Sequence, residues 1–290
     1  MKKQAIIIVS LCLVLAAFVT TTIILFVRTA DLQKKLDAAS ATEQATPDSP
    51  PATPDTSAAT EAQGASYVPQ ETADISETAP GATAPEISVP EEMEAVLQTS
   101  GYTAGQLYES GCRQLVTVSS LDSSAAVIRF YYFADNVWKA DENLTCQGYV
   151  GRNGVTTDMY EGGQATPFGM YPIGDAFYIY SKPETGLNTF EITENTYWVD
   201  DPDSSHYNRR VEGVEDKDWN SAEHMIDYAS NYEYGFVINY NTAAAYNKGS
   251  AIFFHISDYP TAGCVATSRD MVLSYLASLD ASQNPCIVIV

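Results

Sequence analysis

Basic residues are scarce in this chain. It has 15 Lys and Arg against 37 Asp and Glu, a formal net charge of -22 over 290 residues. Phosphate-backbone binding needs clustered Lys and Arg, so the balance argues against a nucleic-acid partner and against docking on an anionic lipid surface. The scarcity is uneven: no Lys or Arg occurs between Leu36 and Cys112, where 13 Asp and Glu fall. Within that region, large apolar residues are nearly missing from Ser40 to Pro90. From Ser40 to Pro90 the chain is mostly Ala, Thr, Ser, Glu and Asp, with eight of its 14 Pro. Such a stretch cannot bury enough surface to offset its ordering entropy, which predicts an acidic, disordered linker over residues 31–90. The five Cys never occur as CxxC, so a structural zinc site has no support. Nucleotide and flavin signatures are missing too, and no cofactor is expected. Only three His exist, His206, His224 and His255.

Against these gaps stands one long apolar run. Lys2 and Lys3 precede the uncharged stretch Ala5–Val27, whose 23 residues are long enough to cross a bilayer. A cleavable signal peptide has a shorter apolar core and a small-residue cleavage site. Residues 1–30 therefore read as a cytoplasmic N-terminus and a signal anchor, with the bulk of the chain outside a cell membrane it crosses once. The oligomeric state is not legible.

After the linker, residues 91–114 carry apolar residues at helical spacing, interrupted by Gly101, and read as a short helical lead-in. Residues 115–290 then turn strand-like. "RQLVTVSS", "AAVIRFYYFA", "DAFYIYS", "NTYWVD", "YGFVINYN", "GSAIFFHI" and "PCIVIV" are short β-branched or aromatic runs separated by Gly, Pro, Asn and Asp. A helix is expected from Thr267, where Thr267 and Asp270 have capping-box spacing, and another around "SAEHMIDYAS". The fold class is mainly β, a sandwich or barrel with a few short helices.

The chemistry concentrates in "HISDYPTAGC", His255 to Cys264. A lone His after two Phe is usually a satisfied core residue, and a buried Cys is usually inert. Here Gly263 permits close backbone approach. A helix beginning just after Cys264 would favour its thiolate, and His255 at a strand end would reach the thiol across a short loop. Backbone N–H groups of Gly263 and Cys264 would hold an oxyanion. Thr261, Tyr234 with Gly235, Trp198 and His224 are further substrate-binding candidates; for each, ordinary packing is the plain alternative. His206 reads as a solvated loop residue. Cys112, Cys146, Cys264 and Cys286 allow three pairings; with Cys264 a working thiol, a Cys112–Cys146 disulfide is one arrangement.

"EGGQATPFGMYPIG" (Glu161 to Gly174) followed by "GSAIFFHISDYPTAGCVAT" (Gly249 to Thr267) resembles the L,D-transpeptidase catalytic domain. That family carries a TPxGxF/YxI segment, matched by Thr166 to Ile173. It then carries a strand ending in His and a Ser/Thr-x-Gly-Cys motif, matched by His255 and Thr261 to Cys264. The likeness spans Leu115 to Val290. It implies a wall enzyme of a bacterium acting on peptidoglycan stem peptides. Cys264 would attack the carbonyl of the third stem residue, a diamino acid, and expel D-Ala. His255 would act as base, and an amine of a neighbouring stem would resolve the thioester into a cross-link. With water as acceptor the same site would be an L,D-carboxypeptidase.

The sequence departs from that pattern. His255 is followed by Ile256, Ala262 stands where the family has a second His, and Ala266 where it has Arg. Arg269 is a nearby substitute. Two other classes remain open: a sortase-like transpeptidase using His206 or His224, and an inactive wall-binding module.

Overall fold

The computed structural model describes residues 87–120 and 124–290. The expected span and nearly all of the linker lie outside these. Among the described residues no helix is long and apolar enough to cross a membrane.

The lead-in forms two helices, α1 (Glu91–Ser100) and α2 (Ala104–Glu109). Gly101 separates them in the left-handed conformation (φ 79°) that suits a helix C-cap. Thr103 and Gln106 then form a reciprocal capping box for α2. The strands are β1 (Gln114–Ser120), β2 (Ala125–Ala134), β3 (Val137–Tyr149), β4 (Val155–Thr156), β5 (Thr166–Pro167), β6 (Gly169–Tyr178) and β7 (Thr189–Glu191). They continue with β8 (Thr196–Val199), β9 (Arg210–Glu212) and β10 (Ala222–His224). A 3-10 turn (Met225–Tyr228) and α3 (Ala229–Tyr232) precede β11 (Tyr234–Ile238), β12 (Phe253–Ile256), β13 (Val265–Thr267), α4 (Arg269–Ser278) and β14 (Cys286–Ile289).

Eight strands close a barrel in the order β11-β12-β13-β3-β2-β1-β14-β6, and β6 pairs back onto β11. β7 adds to β6 outside the ring. The fold is thus mainly β, in its barrel form. Asp135 and Asn136 make the two-residue β2–β3 turn at φ 57° and 62°, the positive values a type I′ hairpin demands.

Period-2 alternation sorts the strand residues into two cores. Val116 and Val118 of β1, Ile128 and Phe130 of β2, and Ile287 and Ile289 of β14 fill one cluster with Phe236 and Phe254. The intervening Leu115, Tyr131, Cys286 and Val288 pack instead on Met93, Leu97 and Leu107 of the lead-in. The lead-in therefore covers a barrel face and belongs to the same body. A third cluster lies where Phe177 and Phe253 meet Trp198, Met225 and Tyr232. A three-stranded sheet, β10-β8-β9, contributes to that side.

Both expected helices are present, with their starts shifted. Thr267 belongs to β13, where it pairs with Ile256 and its hydroxyl donates to the Gln147 carbonyl. The hydroxyl is thus spent on β3, and α4 starts at Arg269 after Ser268, which makes no side-chain cap bond. "SAEHMIDYAS" opens as strand β10, because Ala222 to His224 pair with Tyr197 to Val199, and turns helical from Met225, with His224 at the N-cap.

Candidate active site

Strand β12 places Phe253 and His255 on one face by its two-residue period, and the chain returns through Ser257–Gly263 to set Cys264 beside it. The Phe253 N–H donates to Cys264 Sγ at 3.4 Å, and the thiol donates to the Ala251 carbonyl at 3.2 Å. The Thr261 hydroxyl donates to the Cys264 carbonyl (2.6 Å), which also accepts from Thr166 Oγ1 (3.2 Å). Gly263 sits at φ 155°, and a Cβ there would press on the Ala165 carbonyl oxygen (3.2 Å) and Ile252 Cδ1 (3.3 Å). The Gly263 N–H donates to Thr261 Oγ1 at 3.1 Å. It is therefore committed within the loop, which corrects the expected two-amide hole and leaves the Cys264 N–H as its remaining candidate.

His255 is buried. Its Nδ1–H donates to the Ile256 carbonyl (3.0 Å), which fixes Nε2 as the unprotonated nitrogen. Asn231 Nδ2 donates to the same carbonyl at 2.9 Å. The Tyr232 ring meets the imidazole edge-on at 5.2 Å. Gly235 lies opposite His255 in the ladder, and a Cβ there would stand 2.5 Å from the Phe254 carbonyl oxygen.

Burial pushes the His255 imidazole down to about 4, partly offset by its bond to Ile256. Burial pushes the Cys264 thiol far up, and the nearby Glu223 charge adds to this. The resting pair is a neutral thiol and a neutral imidazole. Burial thus opposes the expected thiolate, and α4, with β13 intervening, begins five residues past Cys264 rather than three. It also moves any His255 titration well below neutrality.

A cleft of about 850 Å³ opens over this pair and is lined also by Thr261, Gly263 and Tyr232. Among the described residues, four carboxylates line it, Glu161, Asp200, Asp201 and Glu223, with Arg152 as the one cation. The Arg152 backbone N–H donates to the Thr261 carbonyl at 3.0 Å, which ties the Arg152 backbone to the nucleophile's loop. Tyr232 Oη donates to Glu223 Oε2 at 2.6 Å. Burial raises the Glu223 carboxyl to about 7, with Asp200 and Glu161 pushing the same way and the Tyr232 bond opposing. Glu223, Tyr232, Asn231 and Arg152 carried no sequence signal; Glu161 stood unremarked at the head of its motif.

The remaining candidates lie elsewhere. Trp198 is buried with its Nε1–H on Asn208 Oδ1 (2.9 Å). Tyr234 bonds Ser181 Oγ at 2.8 Å. His224 stacks on Tyr197 and is held by Asp227 and the Glu194 carbonyl. His206 packs edge-on to Trp219. Arg269 makes a bidentate pair with Glu233 at 2.7 and 2.9 Å. None of these five lines the cleft. Ala266 is fully buried. The four described cysteines are free thiols. Cys112 contacts Cys286 and Cys146 contacts Thr267, so the Cys112–Cys146 pairing is not present. Comparisons with protein-family models, with curated proteins and with solved structures give no match for this chain.

Proposed function

We propose that this protein is a cysteine L,D-transpeptidase of peptidoglycan, anchored by its N-terminal span with the barrel outside the membrane. One observation carries the reading. The two segments that resemble the family converge on a single atom, the Cys264 carbonyl oxygen, through Thr166, 98 residues before it, and Thr261. They do so in a cleft that also holds His255.

In this reading His255 Nε2 takes the thiol proton as Sγ attacks the stem carbonyl, because a free thiolate is disfavoured at rest. The Cys264 N–H faces the developing oxyanion. Arg152 takes the place of the absent motif arginine and meets the stem's carboxylate. The amine of a second stem completes the exchange; water in its place gives the carboxypeptidase.

The test is mass spectrometry of the protein after incubation with a carbapenem, followed by analysis of treated wall material. A covalent adduct on Cys264, lost in Cys264→Ala, together with 3–3 linked stems supports the transpeptidase. Shortened stems alone mark the carboxypeptidase. A second reading, an inactive wall-binding module, is favoured by the burial of Cys264 and its raised thiol, since reactive cysteines are usually exposed and acidic. A folded protein that gives no adduct decides for it. A sortase-like site would need His206 or His224 at the thiol, and neither lines the cleft.

A further inference from the structure

Acylation by Cys264 and His255 leaves Glu223 without a role, although it lines the same cleft. Its surroundings are specific. Tyr232 links it to the site: the hydroxyl bonds Glu223 while the ring touches both His255 and Phe253, whose amide holds Cys264 Sγ. The ionisable groups facing Glu223 are Tyr232 of α3, Tyr228 of the 3-10 turn, Asp200 after β8, Glu161 before β5, and Cys264. All are acids or neutral. Among the described residues no Lys or Arg forms an ion pair with it. A carboxylate placed this way is short of a cation.

The second half of the proposed reaction is short of a base. A primary amine reaches the enzyme as an ammonium and must lose a proton before it has a lone pair to attack with. His255, held near 4, is a poor match for an ammonium proton, and its Nε2 is needed in the same step for the second N–H and for the return of a proton to Sγ. Glu223, held near 7, is the better-matched acceptor at neutral pH.

We propose that Glu223 is a catalytic residue that binds the acceptor substrate as a primary ammonium and takes its proton in the step that resolves the Cys264 acyl-enzyme, an inference that rests on the transpeptidase reading. The N–H proton moves to the Glu223 carboxylate, and the freed lone pair adds to the thioester carbonyl to form the C–N bond. His255 Nε2 removes the second proton from that nitrogen. The intermediate collapses with cleavage of the C–S bond, and His255 returns the proton to Sγ. The products are the amide, the free thiol and protonated Glu223, which releases its proton to water. The acidic walls contributed by Asp200 and Glu161 favour the same cationic substrate class.

The experiment uses the full-length protein, a tetrapeptide stem with a diamino acid in third position as donor, and two acceptors. Ethylamine is protonated at neutral pH and needs a base; hydroxylamine is already neutral. Acyl-enzyme on Cys264 and both products are followed by mass spectrometry. The ratio of ethylamine to hydroxylamine rates should fall by about 10²-fold in Glu223→Gln, the usual scale for a general base. It should fall by less in Glu223→Asp, which keeps a carboxylate at shorter reach and carries the test if the Gln variant does not fold. A ratio equal to wild type in the folded variants, or equal loss of both reactions, overturns the role of Glu223 and leaves the transpeptidase reading standing. Absence of acyl-enzyme in the wild type overturns both.

Discussion

The Thr261 hydroxyl donates to the Cys264 carbonyl at 2.6 Å and accepts from the Gly263 N–H at 3.1 Å. One oxygen thus clamps both sides of the dipeptide that carries the thiol. Thr261→Val keeps the shape and removes both bonds in a buried site. The expected loss is about 1–3 kcal/mol of stability, the scale of a buried polar group left unpaired, together with slower Cys264 acylation. Thr261→Ser should retain most of both. Urea unfolding and adduct formation measure the two effects, and an unperturbed Val variant would remove this clamp from the account.

Two glycines should differ in what they tolerate. A Cβ at Gly263 meets its neighbours at 3.2 and 3.3 Å, tight but near contact, at a φ that side chains rarely adopt. A Cβ at Gly235 would stand 2.4 Å from Phe177 Cζ and 2.5 Å from the Phe254 carbonyl oxygen. Gly263→Ala is expected to cost about 1–3 kcal/mol and to slow acylation, while Gly235→Ala costs at least as much because it spreads two paired strands. Thermal melts of the two variants give the order, and a milder Gly235 variant would contradict the packing.

The two buried titrating groups act on stability in opposite directions. His255 is lowered from 6.5 to about 4, so its contribution is full above pH 6.5 and is lost as pH falls towards 4. Glu223 is raised from 4.5 to about 7, so its contribution is full below pH 4.5 and is lost as pH rises through 7. Glu223→Gln should therefore gain on the wild type in melting temperature above pH 7 and lose that gain below pH 4.5. Melting curves across pH 4–9 read this directly; a constant offset would show that Glu223 does not titrate in the folded state as described.

Tyr232→Phe tests the same carboxyl from its partner's side. The Tyr232 bond holds Glu223 below the position that burial alone would give it. Its removal should move the neutral-range limb of acyl transfer to ethylamine to higher pH. The limb should stay fixed if Glu223 does not govern it.

Much of the barrel was legible because its strands announce themselves. β1 and β14 read as apolar runs since both of their faces are covered, by the barrel interior and by the lead-in helices. β3 did not. Its "KADENLT" stretch buries only Leu144 among half-buried and exposed, largely charged or polar positions, and its strand character comes from pairing with β2 rather than from composition. In the site, His255, Cys264, Thr261 and Thr166 stood in quotable motifs. Glu223 and Tyr232 did not, because β10 and α3 bring them to the cleft through tertiary packing, and neither lies near the motifs in sequence. The helix expected after Cys264 is present but starts two residues later than Thr267, whose hydroxyl is bonded to β3 and does not cap it.

The amides of Gly151 and Gly263 both donate to threonine hydroxyls, Thr166 and Thr261, rather than to a strand ladder, and both hydroxyls hold the Cys264 carbonyl. In terms of hydrogen exchange, these two protons are expected to report a single opening event. Any fluctuation that frees one loosens the atom on which the other's partner rests. Matched protection at Gly151 and Gly263, rising together when Cys264 is acylated, would be the kinetic trace of a site that forms and comes apart as one unit.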